Sequence, residues 1–304
     1  MPRFSILIPA YKSAFLQEAI ASVLSQTYAD LELIISDDCS PEPIKAICSP
    51  FLKDCRVKYR SNEKNMGAKN LSAHWNLLLQ YATGEYVIVP GDDDVFEPNY
   101  LEEVSQVIDR YPDIDLIRAR TRRIDQNGDE LATDPQMMSR QEQSSFIEFL
   151  SRWNTIHCMG NLCFKKSALL EKGGFVNFDL AWFSDDASAI VYSVNDVGHT
   201  HDVVFNFRVS RLSISSSTEK QDKFAKVKSM LSFIDWYKEQ GVGDHNDLLL
   251  KVKSYCCNVL LWEEGLELLD IKTVIMLMRS LSSVRPFVCW LKRKIVHNTL
   301  CDAE

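Results

Sequence analysis

The stretch FSILIPAYKSAFLQEAIASVLSQTYADLELIISDD, residues 4–38, decides the fold. FSILIPAY (Phe4 to Tyr11) is an apolar run of strand length. FLQEAIASVLSQ (Phe15 to Gln26) places Phe15, Ala19, Ile20, Val23 and Leu24 at helical spacing. LELIISDD (Leu31 to Asp38) is a second strand, ending in two carboxylates. Strand, helix and strand in this order predict a parallel pair in one sheet. Unbroken apolar runs suit strands covered on both faces.

Working outward, the alternation continues. Pro43 to Leu52 predicts a helix, Val57 to Asn62 a strand, Ala68 to Tyr81 a helix and Tyr86 to Val89 a fourth strand. Ligands of such sheets bind beyond the carboxyl ends of the strands. Asp37, Asp38 and the run Asp92, Asp93, Asp94 all fall at such ends. Asp115 to Asp125, Asn161 to Lys166 and Val203 to Val209 predict further strands, with Asn127-Gly128 as a hairpin turn. The expected architecture is α/β, a mixed, mostly parallel central sheet with helices on both faces. Composition shifts at Ser213 to Lys220, and the pattern beyond is helical only: Lys223 to Gln240, Asn246 to Leu269, and Ile271 to His297 with a break at Pro286. Residues 1–215 are therefore the expected catalytic domain and 216–304 a C-terminal helical appendage.

The chain has 304 residues, enough for a sizeable core, and its net charge of −8 disfavours a nucleic-acid partner. Its 9 cysteines form no C-x-x-C and read as reduced thiols of a cytoplasmic protein. The first residues lack the apolar stretch of a signal peptide, and no run of about 18 apolar residues predicts a membrane span. The six histidines (His74, His157, His199, His201, His245, His297) show no zinc-ligand spacing and read as structural.

VIVPGDDDVFEP, residues 87–98, poses an electrostatic problem, since three adjacent carboxylates repel unless a cation sits among them. A solvated acidic turn is one reading. Hard oxygen ligands for Mg²⁺ or Mn²⁺, with phosphate oxygens completing the shell, are the other. The position after a buried strand, beside a second acidic strand end, favours the ligands.

SILIPAYKSAFLQEAIASVLSQTYADLELIISDDCSPE and NMGAKNLSAHWNLLLQYATGEYVIVPGDDDVFEPNYL together resemble the family 2 glycosyltransferases of the GT-A fold. The ordered motifs are P-A-Y, S-V-L-x-Q-T-Y, E-L-I-x-x-D-D-x-S, N-x-G, A-x-G-E-Y and an aspartate motif followed by Pro98 and Leu101. The resemblance covers about the first 215 residues. It implies that Pro9, Ala10 and Tyr11 wall a nucleotide pocket and that Asp38, with Asp37 alongside, accepts the uracil N3–H of a UDP-sugar. It places Asn65, Gly67 and Lys69 beside the base or phosphates, Asp93 on the metal, and Asp92 at the ribose or the metal. Two departures stand out. Gly91 occupies the place of the first aspartate of D-x-D, and His74-Trp75-Asn76 replaces the commoner A-R-N. Trp75 reads as core packing or as a ligand contact.

FSDDASAIVYSV, residues 183–194, begins a helix with two aspartates after Gly173-Gly174-Phe175. A helix cap explains them locally. The resemblance instead makes Asp186 the general base of an inverting transfer. FNFRVSRLSIS, residues 205–215, resembles the loop that closes over the diphosphate; Arg208 matches, Ser210 replaces a histidine, and Arg211 supplies charge. Met159, Gly160 and Asn161 lie where the family lines the acceptor side. The implied partners are a nucleotide-sugar donor and a saccharide or lipid-linked oligosaccharide acceptor. VRPFVCWLKRKIVH, residues 284–297, fits a helix packed on its own domain or one lying on the inner face of an anionic membrane. A non-catalytic binding subunit and a sugar-phosphate nucleotidyltransferase are the alternatives; the second needs a glycine-rich loop after the first strand, where this chain has PAYKSAF.

Overall fold

The first strand, β1 (Phe4–Ala10), is buried along nearly its whole length and pairs in parallel with β2 (Leu31–Asp37), which is wholly buried. Both faces of this pair are covered, as the unbroken apolar runs require. Between them runs α1 (Leu16–Leu24), whose Leu16, Ala19, Ile20 and Val23 form one buried stripe. The structure is a computed structural model that describes residues 1–152, 155–210, 220–241, 246–262, 275 and 278–279. Within these, the side chains of residues 68, 69, 220, 221, 223, 224, 246 and 257–262 lie outside the description.

After β2 come α2 (Ile44–Cys48), β3 (Val57–Ser61), α3 (Gly67–Leu79) and β4 (Tyr86–Ile88). The helix expected over Pro43 to Leu52 is split, because Pro50 opens a separate 3₁₀ turn at Ser49–Lys53. In α3, Asn70 leaves helical geometry (φ −154°, ψ 77°) and its Oδ1 accepts the amide of Ala73 at 2.8 Å, so it caps the regular part of the helix.

The next elements are β5 (Val95–Phe96), α4 (Tyr100–Arg110), β6 (Leu116–Ile124), β7 (Glu130–Thr133), β8 (Arg140–Gln141), α5 (Gln143–Ser151), β9 (Leu162–Lys165), α6 (Lys166–Glu171), α7 (Ser184–Tyr192) and β10 (Val197–Arg208). Strand order is β3-β2-β1-β4-β9-β6-β10-β5, with β7 on β6 and β8 on β10. The first four strands are parallel. β9 runs antiparallel to both neighbours, and β6 and β10 are parallel again. The sheet is thus parallel in its first half and mixed in its second. β10 begins six residues earlier than its apolar run, because His199 and Thr200 are buried and held by hydrogen bonds.

Register places the site. β4 pairs with β1 only as far as Ile6↔Ile88. Beyond that, Pro90 and Gly91 carry the chain away from β1, and Pro9 needs no amide partner on that side. The gap receives the aspartate loop.

The chain divides into two compact units, Met1–Ser217 and Thr218–Glu304. In the second, α8 (Lys220–Glu239) and α9 (Asn246–Trp262) pack on each other through residues including Met230, Phe233, Leu248 and Val252. No helix among the described residues is long and apolar enough to cross a membrane. Arg211 and the segment 284–297 lie outside the described residues.

A buried ion pair ties β6 to the connection that follows it. Arg118 and Asp134 meet at 2.5 Å, and Asp134 also accepts the amide of Ile156. Removing one charge leaves the other stranded, at about 3–5 kcal/mol. Urea denaturation should show Asp134→Ala losing about that much, and the double change Arg118→Leu with Asp134→Leu losing less.

Candidate active site

Asp92 joins two strand ends. Its Oδ2 accepts the backbone amides of Tyr11 (2.8 Å) and Lys12 (2.7 Å), closing the loop after β1 onto the loop after β4. Its Oδ1 meets the Lys12 ammonium at 3.1 Å, and Asp93 Oδ2 meets the same ammonium at 2.8 Å. Burial raises the Asp92 carboxyl above its usual range, opposed by Lys12. Lys12 itself is pulled down by burial but ends above the ordinary lysine value, because the two carboxylates outweigh that cost.

Asp94 faces inward. Its oxygens accept the amides of Gly91 (2.8 Å) and Arg208 (3.3 Å). Burial, with Asp93 beside it, pushes its carboxyl up to about 7. Arg208 is buried too: its guanidinium donates to the carbonyls of Asp93, Asp125 and Gln126 and to Glu18, and lies over the ring of Phe15. Two glycines permit this packing. A Cβ on Gly91 would come within 2.8 Å of Asp93 Oδ1, and one on Gly160 within 2.9 Å of Asp94 Oδ2 and 3.0 Å of Pro90 Cα.

At the end of β2, Asp37 accepts the Ser40 amide and the Tyr59 hydroxyl. Asp38 holds the next turn: Oδ1 accepts Asn62 Nδ2 (2.8 Å) and the Met66 amide (2.9 Å), and Oδ2 accepts the Gly67 amide (2.6 Å). A Cβ on Gly67 would stand 3.0 Å from that Oδ2, so the close approach needs glycine. His74 is buried behind this turn, against Ser36 and Asn62, and burial lowers its pKa. Pro9 is half-buried, Ala10 buried and Tyr11 exposed beside this pocket, while Asn65 is half-buried.

Asp185 and Asp186 open α7 after a strained approach. Leu180, Ala181 and Phe183 all have positive φ, at a cost of about 1–3 kcal/mol each. The entry is held by Ser184, whose hydroxyl meets Ser72 of α3 and accepts the Phe178 amide. Asn76 makes a two-way pair with the backbone of Phe175, fixing the Gly173-Gly174 turn, and Trp75 packs edge-on against the Phe175 ring. Trp75 is therefore core. Burial and the neighbouring Asp186 raise the Asp185 carboxyl well above its usual range. His157 joins them, its ligand atom and theirs lying within 4.8 Å of one another. Sequence spacing gives no sign that His157 meets Asp185 and Asp186.

Three carboxylate groups therefore gather in one unit, two at parallel strand ends and one at a helix start. Residues 5–171, more than half of the chain, match the sequence profile described as Glycosyl transferase family 2. The chain belongs to glycosyltransferase family 2. The UDP-Glc:α-D-GlcNAc-diphosphoundecaprenol β-1,3-glucosyltransferase WfgD of Escherichia coli is 35% identical over 99 residues, covering 32% of this chain and 38% of that protein. Glycosyltransferase GlyG of Streptococcus pneumoniae is 31% identical over 106 residues, 34% of each chain. The matched stretches thus span well under half of these relatives. Among solved structures, residues 1–349 of S. aureus TarS with UDP-GlcNAc give a TM-score of 0.66 at 16% identity, covering 91% of this chain and 79% of that one. A Pyrobaculum calidifontis mannosyltransferase with GDP-Man and Mn²⁺ gives 0.53 at 16% identity, covering 98% and 80%. The sheet is the GT-A fold.

For a family 2 glycosyltransferase, the donor set of the aspartate loop fits a hard cation. Asp92 Oδ1 and Asp93 Oδ2 already converge on one positive group. Asp94 turns away from it. Lys12 is central to this cluster, and its only sequence signal is a lysine one residue past P-A-Y. The Lys69 side chain lies outside the described set.

Because both oxygens of Asp38 accept amide hydrogens, Asp38→Asn must set an NH₂ against a donor. Thermal or urea denaturation should show a loss of about 1–3 kcal/mol.

Proposed function

We propose that the first unit transfers a sugar, with inversion, from a nucleoside-diphosphate sugar to an acceptor hydroxyl, with Asp186 as general base and a UDP-sugar as donor. One observation supports this most directly. The segment His157 to Gly160 touches both halves of the required chemistry: His157 lies against Asp185 and Asp186, and Gly160 against Asp94 and Pro90. Three peptide steps reach roughly 10–11 Å at most. One short segment thus tethers the Asp185–Asp186 pair to the aspartate loop.

The roles follow from the geometry. Asp92 and Asp93 would hold a Mn²⁺ or Mg²⁺ ion, which supplies charge compensation for the departing diphosphate. Arg208 serves the donor indirectly, by fixing the Asp93 carbonyl. Pro9, Ala10, Tyr11, Asp37, Asp38, Asn65 and Gly67 shape the nucleotide pocket, with Lys69 on the same helix. Burial and its neighbour raise the Asp185 carboxyl well above its usual range, which leaves Asp186 as the one to take the acceptor proton. The names of relatives that act on undecaprenol-diphosphate sugars support a lipid-linked acceptor in polysaccharide assembly. The nucleotidyltransferase alternative loses ground, since the loop after β1 carries no glycine and two of its amides are taken by Asp92.

Asp186→Asn should lower kcat by about 10²- to 10⁴-fold with nucleotide affinity nearly unchanged. The product should carry the opposite anomeric configuration to the donor, read by NMR. A variant with most of its activity, or a retained configuration, would sink this assignment. Calorimetry should show UDP binding tighter with Mn²⁺ than in EDTA, and the difference should vanish in Asp93→Ala.

A further inference from the structure

We propose that Lys12 is the resident cation of the aspartate loop. Its ammonium bridges Asp92 and Asp93 until a nucleoside diphosphate arrives and then moves to the diphosphate, so that a divalent ion enters only together with the nucleotide. The inference rests on the donor reading above and assigns the site a gate.

The geometry carries it. One ammonium lies 3.1 Å from Asp92 Oδ1 and 2.8 Å from Asp93 Oδ2, the place of a bridging cation. Asp92 cannot turn aside, because its other oxygen holds the amides of Tyr11 and Lys12. The same bonds fix the Lys12 backbone, so only its flexible four-carbon stem can move. That side chain is 23% exposed, while the two carboxylates are 4% and 10% exposed. The lysine side chain is therefore the most exposed member of the cluster, where an incoming phosphate would meet it.

Charge decides the order of events. Two carboxylates and one ammonium leave a single negative charge, a poor site for a divalent ion that must also sit beside the ammonium. Like charges at this range repel strongly in a partly buried site. The diphosphate brings the negative charge that lets both cations stay. Lys12 thereby couples metal and nucleotide binding, and the coupling is reciprocal.

Mn²⁺ binding by electron paramagnetic resonance and UDP binding by calorimetry would be measured on the full chain, wild type, Lys12→Met and Lys12→Gln, with melting curves to confirm folding. Without nucleotide, both variants should bind Mn²⁺ roughly 10-fold or more tighter than wild type, and Asp93→Asn should abolish that binding. In EDTA, both should bind UDP about 10- to 100-fold more weakly, the loss of a charge-assisted contact. Mn²⁺ affinity that is equal or lower in both variants overturns the gate, as does Mn²⁺ binding that survives Asp93→Asn. UDP affinity unchanged in EDTA overturns the handover. If no protein binds UDP, the handover falls with the donor reading, and the Mn²⁺ comparison still decides whether Lys12 holds the cation position.

Discussion

A single carboxylate oxygen, Asp92 Oδ2, organises the carboxyl end of the sheet. By accepting two consecutive amides after β1, it ties a loop from the first strand to a loop from the fourth. The neighbouring side chains take their places from that tie. Lys12 is set over the cluster, and Asp94 is turned inward to the Arg208 amide, joining the end of β10. Asp92 and Asp93 share one ammonium, and Asp92 and Asp94 each accept two backbone amides, which offsets their burial.

Burial alone does not mark a catalytic carboxylate. Glu32 on β2 is as deeply buried as Asp92, yet it accepts from Ser5, Thr83 and Lys58, and its pKa falls to about 2. It staples the opposite end of the sheet, where Gly84 packs directly on the Ser5 amide. Asp92 and Asp93 differ in sharing one ammonium between two adjacent carboxylates, whereas Glu32 has Lys58 to itself. Position in the sheet, not residue type, separates the two cases.

β1, β2 and β4 were legible as largely apolar runs punctuated by polar turns, and β3 as a short alternation of apolar and polar residues. The aspartates at their ends were legible for the same reason. β5 and β8 were not, since a strand of two residues has no periodicity and forms only because β10 is already there. α4 carries a clear apolar face at Leu101, Val104 and Ile108, a helical signal between the aspartate run and the strand after it. Lys12 escaped because its partners lie 80 residues along the chain, and His157 because its partners meet it only through tertiary folding. Side chains recruited across the sheet leave no local pattern. Asp38 was singled out correctly as a strand-end carboxylate, but its grip on the turn at Met66 and Gly67 could not be read from spacing.

The Arg208 guanidinium reaches the Asp93 carbonyl across 115 residues of chain. At ribosomal speeds of about 5–20 residues per second, roughly 6–23 s separate the making of the aspartate loop from the making of its anchor. Gly160, the wall of the loop, also arrives late. The acidic turn is thus born before most of what encloses it, with Lys12 already synthesised and able to neutralise it. The newborn chain carries its own counter-ion for its most self-repelling segment.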